Sequence, residues 1–246
     1  MHLTVLQWNV WFKENIERVI DVLKAQDADI ICLQELTRGY IEQSQENTWE
    51  YIAHGLGYEY RVQEIPIVTP EAQWSQANAI FSRYPITNKV VHWIHEPRDF
   101  EDLTDQYRGY LEITVDVKGN HFTIATTHMS FNTDPNNDQE LQTLLSIVDS
   151  KQSHFILTAD LNALPDSQRV AELEKRLHHA GPPYDQKTWT TKPFRHEDFE
   201  AATLDWRYDF VFTSQDVNVA DARIVQTDVS DHLPILTAIE LPKQAV

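Results

Sequence analysis

Patterns typical of strands and of helices alternate along this chain from its beginning to its end. Residues 3–8 form an apolar strand pattern, residues 13–25 place apolar side chains at helical spacing, and residues 29–34 return to a strand pattern. A β-α-β opening of this kind predicts a right-handed crossover between two neighbouring parallel strands. No linker, repeat or low-complexity segment interrupts the alternation, which therefore predicts one α/β domain over residues 1–246.

The remaining predicted elements are short. Further strands are predicted at 58–64, 76–81, 89–94, 110–117, 121–127, 154–158, 208–213, 217–225 and 234–240, and further helices at 48–56, 139–148 and 166–177. The polar and aromatic stretch 181–205 is predicted to be a long surface loop. So many strands fit two stacked sheets covered by helices, although the pattern alone also allows a single sheet.

Composition excludes several classes of function. With six glycines and no GxGxxG or GxxxxGK[ST] segment, the chain lacks a glycine-rich phosphate-binding loop, and without GxSxG it is not a serine hydrolase. The single cysteine, Cys32, excludes a disulfide framework and a cysteine-based zinc site. The first residues lack a signal-peptide pattern and no apolar run approaches the ~20 residues of a membrane span. We therefore expect a cytoplasmic protein, with a mature secreted chain as the alternative.

The charge balance constrains the partners. Twenty basic and 38 acidic residues give a net charge of −18. A chain of that sign repels a long phosphate backbone, so an extended grip on duplex nucleic acid is disfavoured. A short nucleic-acid end or a damaged site could still be bound locally.

Polar side chains recur where the predicted strands end, which is where a rigid scaffold presents functional groups. Carboxylate and amide oxygens in this set suit Mg²⁺ or Mn²⁺ better than zinc. A metal bound there would polarise a phosphoryl oxygen while a separate carboxylate activates water, and histidines would donate to the developing charge. The residues are Asn9, Glu35, His128, Asp160, Asn162, Asp231 and His232, together with Asp209, which could orient an imidazole.

Each of these residues also has a purely structural interpretation. Asn9 fits a loop amide, Glu35 a helix-starting acid, and Asp160 with Asn162 an Asx-type turn. Asp209 lies inside a strand pattern and fits a buried, satisfied acid. The functional interpretation depends on the whole set, because its members make a chemically coherent site only together.

Seven ordered segments resemble the metal-dependent endonuclease/exonuclease/phosphatase superfamily over nearly the whole chain. They are LQWNVW, ICLQE, SQANAIFSRYPI, TIATTHM, ILTADLNALPD, RYDFVFTS and VSDHLPI. The superfamily includes exonuclease-III-like nucleases, neutral sphingomyelinases and inositol-polyphosphate phosphatases. The resemblance implies a four-layer α/β/β/α sandwich of the DNase-I-like type and hydrolysis of phosphate esters with Mg²⁺ or Mn²⁺.

The resemblance also implies a role for each residue of the set. Glu35 would be the principal metal ligand, supported by Asn9 and Asp231. Asp160 would orient or deprotonate the water, and Asn162 would hydrogen-bond the scissile phosphate or the nucleophile. His128 would contact a phosphate oxygen, and His232, paired with Asp209, would stabilise the pentavalent transition state. Asn78 and Arg108 resemble substrate-binding positions, with a sheet-edge amide and an ordinary salt bridge as the structural alternatives.

Departures from the family pattern bear on the substrate. The stretch PNNDQELQTLL lacks the arginine of an Arg-x-x-Gln pair that many relatives carry, which leaves the anchoring of that helix open. The loops expected to select substrates, 64–76, 96–107 and 181–205, have no lysine-rich or glycine-rich signature. Aromatic side chains in or next to these loops either stack on a substrate ring or cover the core. They are Trp74, Trp189, Phe194 and Trp206, and Arg195 could line the same groove.

The favoured function is therefore a metal-dependent phosphodiesterase or phosphatase acting on a small phosphorylated molecule or a lipid headgroup. The alternative is a nuclease that acts on DNA or RNA ends or on damaged sites. A catalytically inactive binding module is a third interpretation, disfavoured because Glu35, Asp160 and His232 are all present.

Overall fold

The computed structural model describes residues 2–40, 43, 47–63, 74–96, 107–131, 137–151, 153–196 and 199–241. Its helices are α1 (Ile16–Gln26), α2 (Thr48–Leu56), α3 (Asn137–Asp149) and α4 (Gln168–Glu174). Its strands are β1 (His2–Asn9), β2 (Ile30–Arg38), β3 (Tyr60–Gln63), β4 (Ser75–Ser82), β5 (Ile86–His95), β6 (Arg108–Val117), β7 (Asn120–His128), β8 (Phe155–Asp160), β9 (His178–His179), β10 (Phe194–His196), β11 (Phe199–Ala201), β12 (Asp209–Thr213), β13 (Val219–Ile224) and β14 (Ile235–Glu240).

The strands form two six-stranded mixed sheets and a separate hairpin. The first sheet has the order β13-β14-β1-β2-β4-β3, the second has the order β5-β6-β7-β8-β12-β9, and β10 pairs with β11. Within the described residues β1 pairs with β2, and β7 with β8, in parallel, whereas the other neighbours are antiparallel. The parallel pairing predicted for the β-α-β opening is confirmed.

Three buried apolar clusters define four layers. One cluster lies between the first sheet and helices α1 and α2, a second lies between the second sheet and helices α3 and α4, and a third fills the space between the two sheets. Each sheet therefore buries both of its faces, which explains the nearly continuous apolar runs of β1, β2 and β8. The expected α/β/β/α sandwich is confirmed, and the single-sheet alternative is wrong.

Helix α1 begins three residues later than its apolar pattern predicts. The Asn15 side chain accepts a hydrogen bond from the Arg18 backbone N–H at 3.0 Å and so caps the helix, which leaves Lys13 outside it. Asp27 ends the helix in a left-handed conformation, with φ at 52°. None of the helices in the described parts of the chain has the length and apolar character needed to cross a membrane.

Besides α1, other predicted segments differ from the structure in extent or content. The strand predicted at 29–34 runs on to Arg38, the helix predicted at 166–177 covers only Gln168–Glu174, and the predicted loop 181–205 contains the β10–β11 hairpin. In that loop Trp189 is only 4% exposed because neighbouring aromatic rings pack around it. Most of the predicted loops 64–76 and 96–107 lies outside the described residues.

Candidate active site

The interior of the sandwich changes from apolar to polar toward one end. On each central strand, alternate residues face the opposite sheet, and this series ends in buried polar side chains. The series are Leu3, Val5, Gln7 and Asn9 on β1; Ile30, Cys32 and Gln34 on β2; Phe122, Ile124, Thr126 and His128 on β7; Ile156, Thr158 and Asp160 on β8; and Val211 and Asp209 on β12. The polar ends converge because the sheets are stacked face to face.

Strand register places three predicted site residues side by side in the second sheet. His128 on β7 is the pairing partner of Asp160 on β8, and Asp209 on β12 is the partner of Asp160 on the other side. Asp160 and Asp209 have no exposed surface, and His128 is 9% exposed. The polar ends of β7, β8 and β12 therefore place one imidazole and two carboxylates in a row across the second sheet.

Asn9 joins this row to the first sheet. Its Nδ2 donates to Glu35 Oε1 and to Asp160 Oδ2, both at 2.9 Å. Its Oδ1 accepts the Trp11 backbone N–H at 3.0 Å, so the amide faces both carboxylates with its donor side. Asn9 therefore holds two acids from opposite sheets close to one point.

A β-bulge turns Glu35 toward this point. Simple alternation would place Glu35 on the helix-covered face with Leu33, but the register of β2 against β4 shifts between Leu33 and Leu36, and Glu35 has φ at 60°. Its Oε2 accepts the Phe12 backbone N–H at 3.1 Å. The expectation that Glu35 follows the end of a strand is wrong, since the bulge, not a strand end, presents its carboxylate.

Asp231 approaches from the loop before β14. It is 7% exposed, and its Oδ2 accepts the Trp189 indole N–H at 3.0 Å. Burial raises the pKa of Glu35, and the negative charge of Asp231 raises it further. The two carboxylates therefore face each other closely enough to repel.

His232 is held by acids. Its Nδ1 lies 2.8 Å from Asp209 Oδ2, and its Nε2 lies 3.7 Å from Asp160 Oδ2. Burial lowers the pKa of His232, but the carboxylates of Asp209, Asp231 and Asp160 together outweigh it and hold the pKa well above the usual value. His232 is consequently a buried imidazolium with Nε2–H directed toward Asp160.

Burial changes the acidity of Asp160 strongly. Burial and then the charge of Asp209 raise its pKa to about 7, against the lowering influence of His232 and of hydrogen bonds from Asn9 and the Asn162 backbone N–H. A carboxyl group with a pKa near neutrality can both accept and release a proton at neutral pH.

His128 and Asn162 form a neutral pair beside Asp160. Asn162 Nδ2 donates to the Met129 carbonyl at 2.9 Å and lies 3.0 Å from His128 Nε2. Burial, and then the positive charges of Arg108 and His232, lower the pKa of His128 well below its usual value, so its Nε2 accepts this bond and its proton lies on Nδ1. The Asn162 Oδ1 remains directed away from these two donor contacts.

Arg108 and Asn78 lie at the edge of the same region. Arg108 Nε donates to the Ser130 hydroxyl at 3.1 Å, two residues beyond His128, and within the described residues it forms no salt bridge. Asn78 Nδ2 donates to the Gly109 carbonyl at 3.3 Å and thereby links the two sheets opposite the β2 bulge.

Two sets of side chains offer a metal site. Ligand atoms of Asp160, Asp209 and His232 lie within 4.8 Å of one another, which makes this one candidate among the described residues. However, His232 is cationic and bonded to Asp209, and a cation would repel it. Glu35 with Asp231 fits a hard divalent cation better, because the cation would relieve the repulsion between two buried carboxylates. Asn9 is expected as a supporting ligand, but its Nδ2 faces Glu35 and its Oδ1 is bonded to the Trp11 N–H, so in this arrangement it positions Glu35.

Helix α3 is anchored without the missing arginine. The fully buried Glu140 accepts the Ser130 backbone N–H at 2.9 Å and the Ser130 hydroxyl. Arg169 from α4 lies 3.9 Å from the same carboxylate and donates to the Ser130 carbonyl at 2.7 Å. The cation comes from the neighbouring helix, and the pair holds the loop that follows His128.

The loop aromatic residues divide into two groups. Trp189 is enclosed by Phe194, Phe199, Trp206 and Tyr208, with ring centroids as close as 5.1 Å, so it covers Asp231 and His232 and offers no open face. Phe194, Trp206 and Trp74 keep partly exposed rings, and Trp74 stacks on Phe12 beside Glu35. The exposed Arg195 pairs with Glu200 at 3.1 Å.

The sequence did not predict several side-chain contacts that support the site. Gln7 and Gln34 lie buried behind the site, Glu140 and Arg169 support it from the helices, and Trp189 binds Asp231. Only the two glutamines carried a signal, since the strand alternation assigns both to the face between the sheets, where a polar side chain is costly unless it is hydrogen-bonded.

Comparisons with known proteins agree with this architecture. The sequence profile of the Endonuclease/Exonuclease/phosphatase family matches residues 6–232. No curated protein sequence matches the chain.

Solved structures share the fold at low sequence identity. An endonuclease/exonuclease/phosphatase from Beutenbergia cavernae has a TM-score of 0.76 and 22% identity, over 98% of this chain and 72% of its own. D. rerio TDP2 complexed with a single-strand DNA product has a TM-score of 0.72 and 14% identity, over 98% and 99%. The mannosyl-6-phosphatase Bt3783 of Bacteroides thetaiotaomicron has a TM-score of 0.65 and 16% identity, over 97% and 100%.

Proposed function

Because this chain belongs to the endonuclease/exonuclease/phosphatase family, whose members are phosphoester hydrolases, we propose that it hydrolyses phosphate esters with the help of Mg²⁺ or Mn²⁺. The observation that carries the proposal is the set of groups around Asp160. A buried carboxyl group with a pKa of about 7 lies between an imidazolium, a neutral histidine and the amide that links it to Glu35. A base and a proton donor are thus set 3.7 Å apart in a water-poor site.

Glu35 would hold the cation as principal ligand together with Asp231, while Asn9 supports the site by holding Glu35 through its Nδ2. The Phe12 N–H and the Trp189 indole N–H fix the two carboxylates, so the acids are oriented before a cation binds. When bound, the cation supplies charge stabilisation for a phosphoryl oxygen and for the leaving oxygen.

Asp160 is assigned as the group that orients and deprotonates the attacking water. Its pKa near neutrality matches the optimum for a general base. Asn162 donates both of its amide protons to His128 and to the Met129 carbonyl, so its Oδ1 is available to accept a hydrogen bond from the water.

His232 is assigned to the developing negative charge. Asp209 accepts its Nδ1–H and stabilises the positive ring, so the Nε2–H, 3.7 Å from Asp160 Oδ2, would donate to a phosphate oxygen bound beside Asp160. His128, neutral and with its proton on Nδ1, would donate to a second phosphate oxygen. Arg108 and Asn78 are assigned to substrate binding at the edge of the site.

The favoured substrate is a small phosphorylated molecule or a lipid headgroup, because a net charge of −18 opposes an extended nucleic-acid grip. The similarity in fold to a mannosyl-6-phosphatase supports this choice. A nuclease acting on ends or damaged sites is the second candidate, supported by the similarity to TDP2 with its single-strand DNA product.

A substrate screen with Mn²⁺ or Mg²⁺ tests the function. The substrates are bis-p-nitrophenyl phosphate, p-nitrophenyl phosphate, a single-stranded oligonucleotide and an abasic duplex. We expect hydrolysis of at least one of them, abolition by EDTA and recovery when the metal is restored. Full turnover in chelator would refute the metal requirement.

Two variants distinguish a residue that binds the metal from a residue that takes part in proton transfer. Glu35→Gln should weaken Mn²⁺ binding measured by calorimetry, whereas Asp209→Asn should lower turnover and leave Mn²⁺ affinity nearly unchanged. If Asp209→Asn weakens metal binding as much as Glu35→Gln does, Asp209 belongs to the metal shell and the assignment of the Asp160, Asp209 and His232 set must be reversed.

A further inference from the structure

Two glutamine side chains lie fully buried between the sheets, directly behind the site. Gln7 on β1 and Gln34 on β2 have no exposed surface, and they face the apolar inter-sheet cluster that contains Val5 and Cys32. Gln7 Nε2 donates to Gln34 Oε1 at 2.7 Å, and Gln34 Nε2 donates to Gln7 Oε1 at 2.9 Å. The amides thus form a closed, reciprocal pair, which offsets the cost of burying them.

The second N–H of each amide donates to a side chain of the opposite sheet. That of Gln34 reaches Thr126 Oγ1 at 2.7 Å, and that of Gln7 reaches Asp209 Oδ1 at 3.2 Å. A carboxylate can only accept, so Asp209 dictates which end of the Gln7 amide is the nitrogen, and the reciprocal pair then dictates the orientation of Gln34. The four side chains consequently have one mutually satisfied arrangement.

The same contact acts on Asp209. Its main chain is held by Thr188, whose hydroxyl accepts the Asp209 N–H at 3.3 Å, and by Arg207, whose Nε donates to the Asp209 carbonyl at 2.7 Å. Neither contact touches the carboxylate, and the terminal torsion of an aspartate is soft. The carboxylate oxygens are divided between Gln7 on Oδ1 and His232 Nδ1 on Oδ2.

We propose that Gln7 is a positioning residue for His232: by holding Oδ1 of Asp209 it sets the rotation of that carboxylate and hence the direction in which the His232 ring presents Nε2. Its catalytic consequence rests on the proposed function, since it requires His232 to act on the substrate. The geometric part does not, because it concerns only hydrogen bonds within the chain.

Gln7→Met tests the proposal, because methionine has nearly the same length and flexibility and no N–H. The first measurement is the ¹H NMR signal of the His232 Nδ1–H proton in the chain without substrate. We expect this signal to shift or broaden in Gln7→Met, since the carboxylate that accepts the proton loses its fixed rotation. An unchanged signal would overturn the proposal whatever the activity.

The second measurement is the kinetics with Mn²⁺ and bis-p-nitrophenyl phosphate. Gln7→Met should lower kcat about tenfold, with KM within about twofold, because positioning acts on the chemical step. In an Asp209→Ala background the same substitution should leave kcat unchanged, because its effect passes through Asp209. An equal loss in both backgrounds would overturn the proposal.

Gln34→Met is the matched control. This variant removes an equally buried amide from the same pair but keeps the Gln7 N–H that donates to Asp209, so it should cost similar stability and shift the His232 signal much less than Gln7→Met does. A loss of kcat in Gln34→Met as large as in Gln7→Met would show that loosened sheet packing, not positioning, is responsible. If the wild-type chain does not hydrolyse the probe, the NMR comparison still decides the geometry, and only the proposed function fails.

Discussion

At the scale of single residues, burial makes ordinary side chains chemically unusual in this chain. Asp160 and His232 are both closed to solvent, yet the pKa of the carboxyl group is raised to about 7 and that of the imidazole is also raised. Asp160 is destabilised as an anion because water is excluded, whereas His232 is stabilised as a cation because acids surround it. One environment therefore prepares a proton acceptor and a proton donor.

Asp160→Asn should lower turnover about a hundredfold or more, because an amide cannot accept a proton from water. Folding should survive, since the amide occupies the same volume and its oxygen can still accept from the Asn162 backbone N–H, although its NH₂ group then faces the Asn9 amide and that hydrogen bond is lost. Steady-state kinetics and circular dichroism check both expectations. Asp166→Asn, exposed in the same loop, is the control, and near-normal turnover in folded Asp160→Asn would reject the assignment.

The half-buried His179 should make the free energy of unfolding depend on pH. Burial, and then the charge of Arg207, lower the pKa of His179 to about 4 from 6.5. Between these values the unfolded chain binds the proton and the folded chain does not, so this group lowers the free energy of unfolding as pH falls from 6.5 to 4. Above that window it has no effect.

His179→Leu should reduce the change in the free energy of unfolding across this pH window by about 1 kcal/mol. This is less than the full pKa shift implies, because solvent reaches part of the His179 ring. Urea unfolding at several values between pH 4 and 7.5 measures the slope. His178→Leu, at the exposed neighbouring position, should keep the wild-type slope. Identical slopes in wild type and His179→Leu would contradict the prediction.

At the scale of elements, helices α3 and α4 are coupled through charges. Glu140 and Arg169 are 0% and 3% exposed, and both bind the Ser130 segment, whose hydroxyl also accepts from Arg108. The helices thus support the loop next to His128. These contacts anchor helix α3 without the arginine that the family pattern would place on it.

Glu140→Ala should destabilise the fold by about 3–5 kcal/mol, because Arg169 would remain buried without its counter-charge. Chemical denaturation measures the loss. Asp149→Asn on the same helix, whose exposed carboxylate pairs with Arg176, should cost under about 1 kcal/mol. The double variant Glu140→Met with Arg169→Met should recover part of the loss, and a single-variant loss no larger than the control would contradict the coupling.

At the scale of the whole molecule, the net charge should determine how salt changes kcat/KM for a nucleic-acid substrate. With a net charge of −18, long-range repulsion of a polyanion weakens as salt screens it. kcat/KM for a long duplex should therefore rise several-fold between about 0.02 and 0.15 M salt. The monoanionic bis-p-nitrophenyl phosphate is the control and should respond much less, and a fall for the duplex, as basic nucleases show, would contradict the prediction.

Local patterns in the sequence were sufficient for the α/β class, whereas the choice of two stacked sheets over a single sheet was implied by the family resemblance. Strand and helix periodicities are short-range properties, and they predicted the parallel opening and the strand-end positions of Asn9, His128 and Asp160. We retain the single domain over 1–246 as a prediction of the same kind. The roles of the site residues likewise stay proposals until the variants are measured.

Tertiary structure alone decided how these residues face one another. The bulge that turns Glu35 arises from pairing with β4, and the contact of Gln7 with Asp209 joins residues 202 positions apart. Periodicity reports which face a side chain occupies but contains no information about the atoms it meets there. The orientation of the carboxylates, and with it their acidity, follows from those long-range contacts, because burial and neighbouring charges set a pKa only when the sheets are packed.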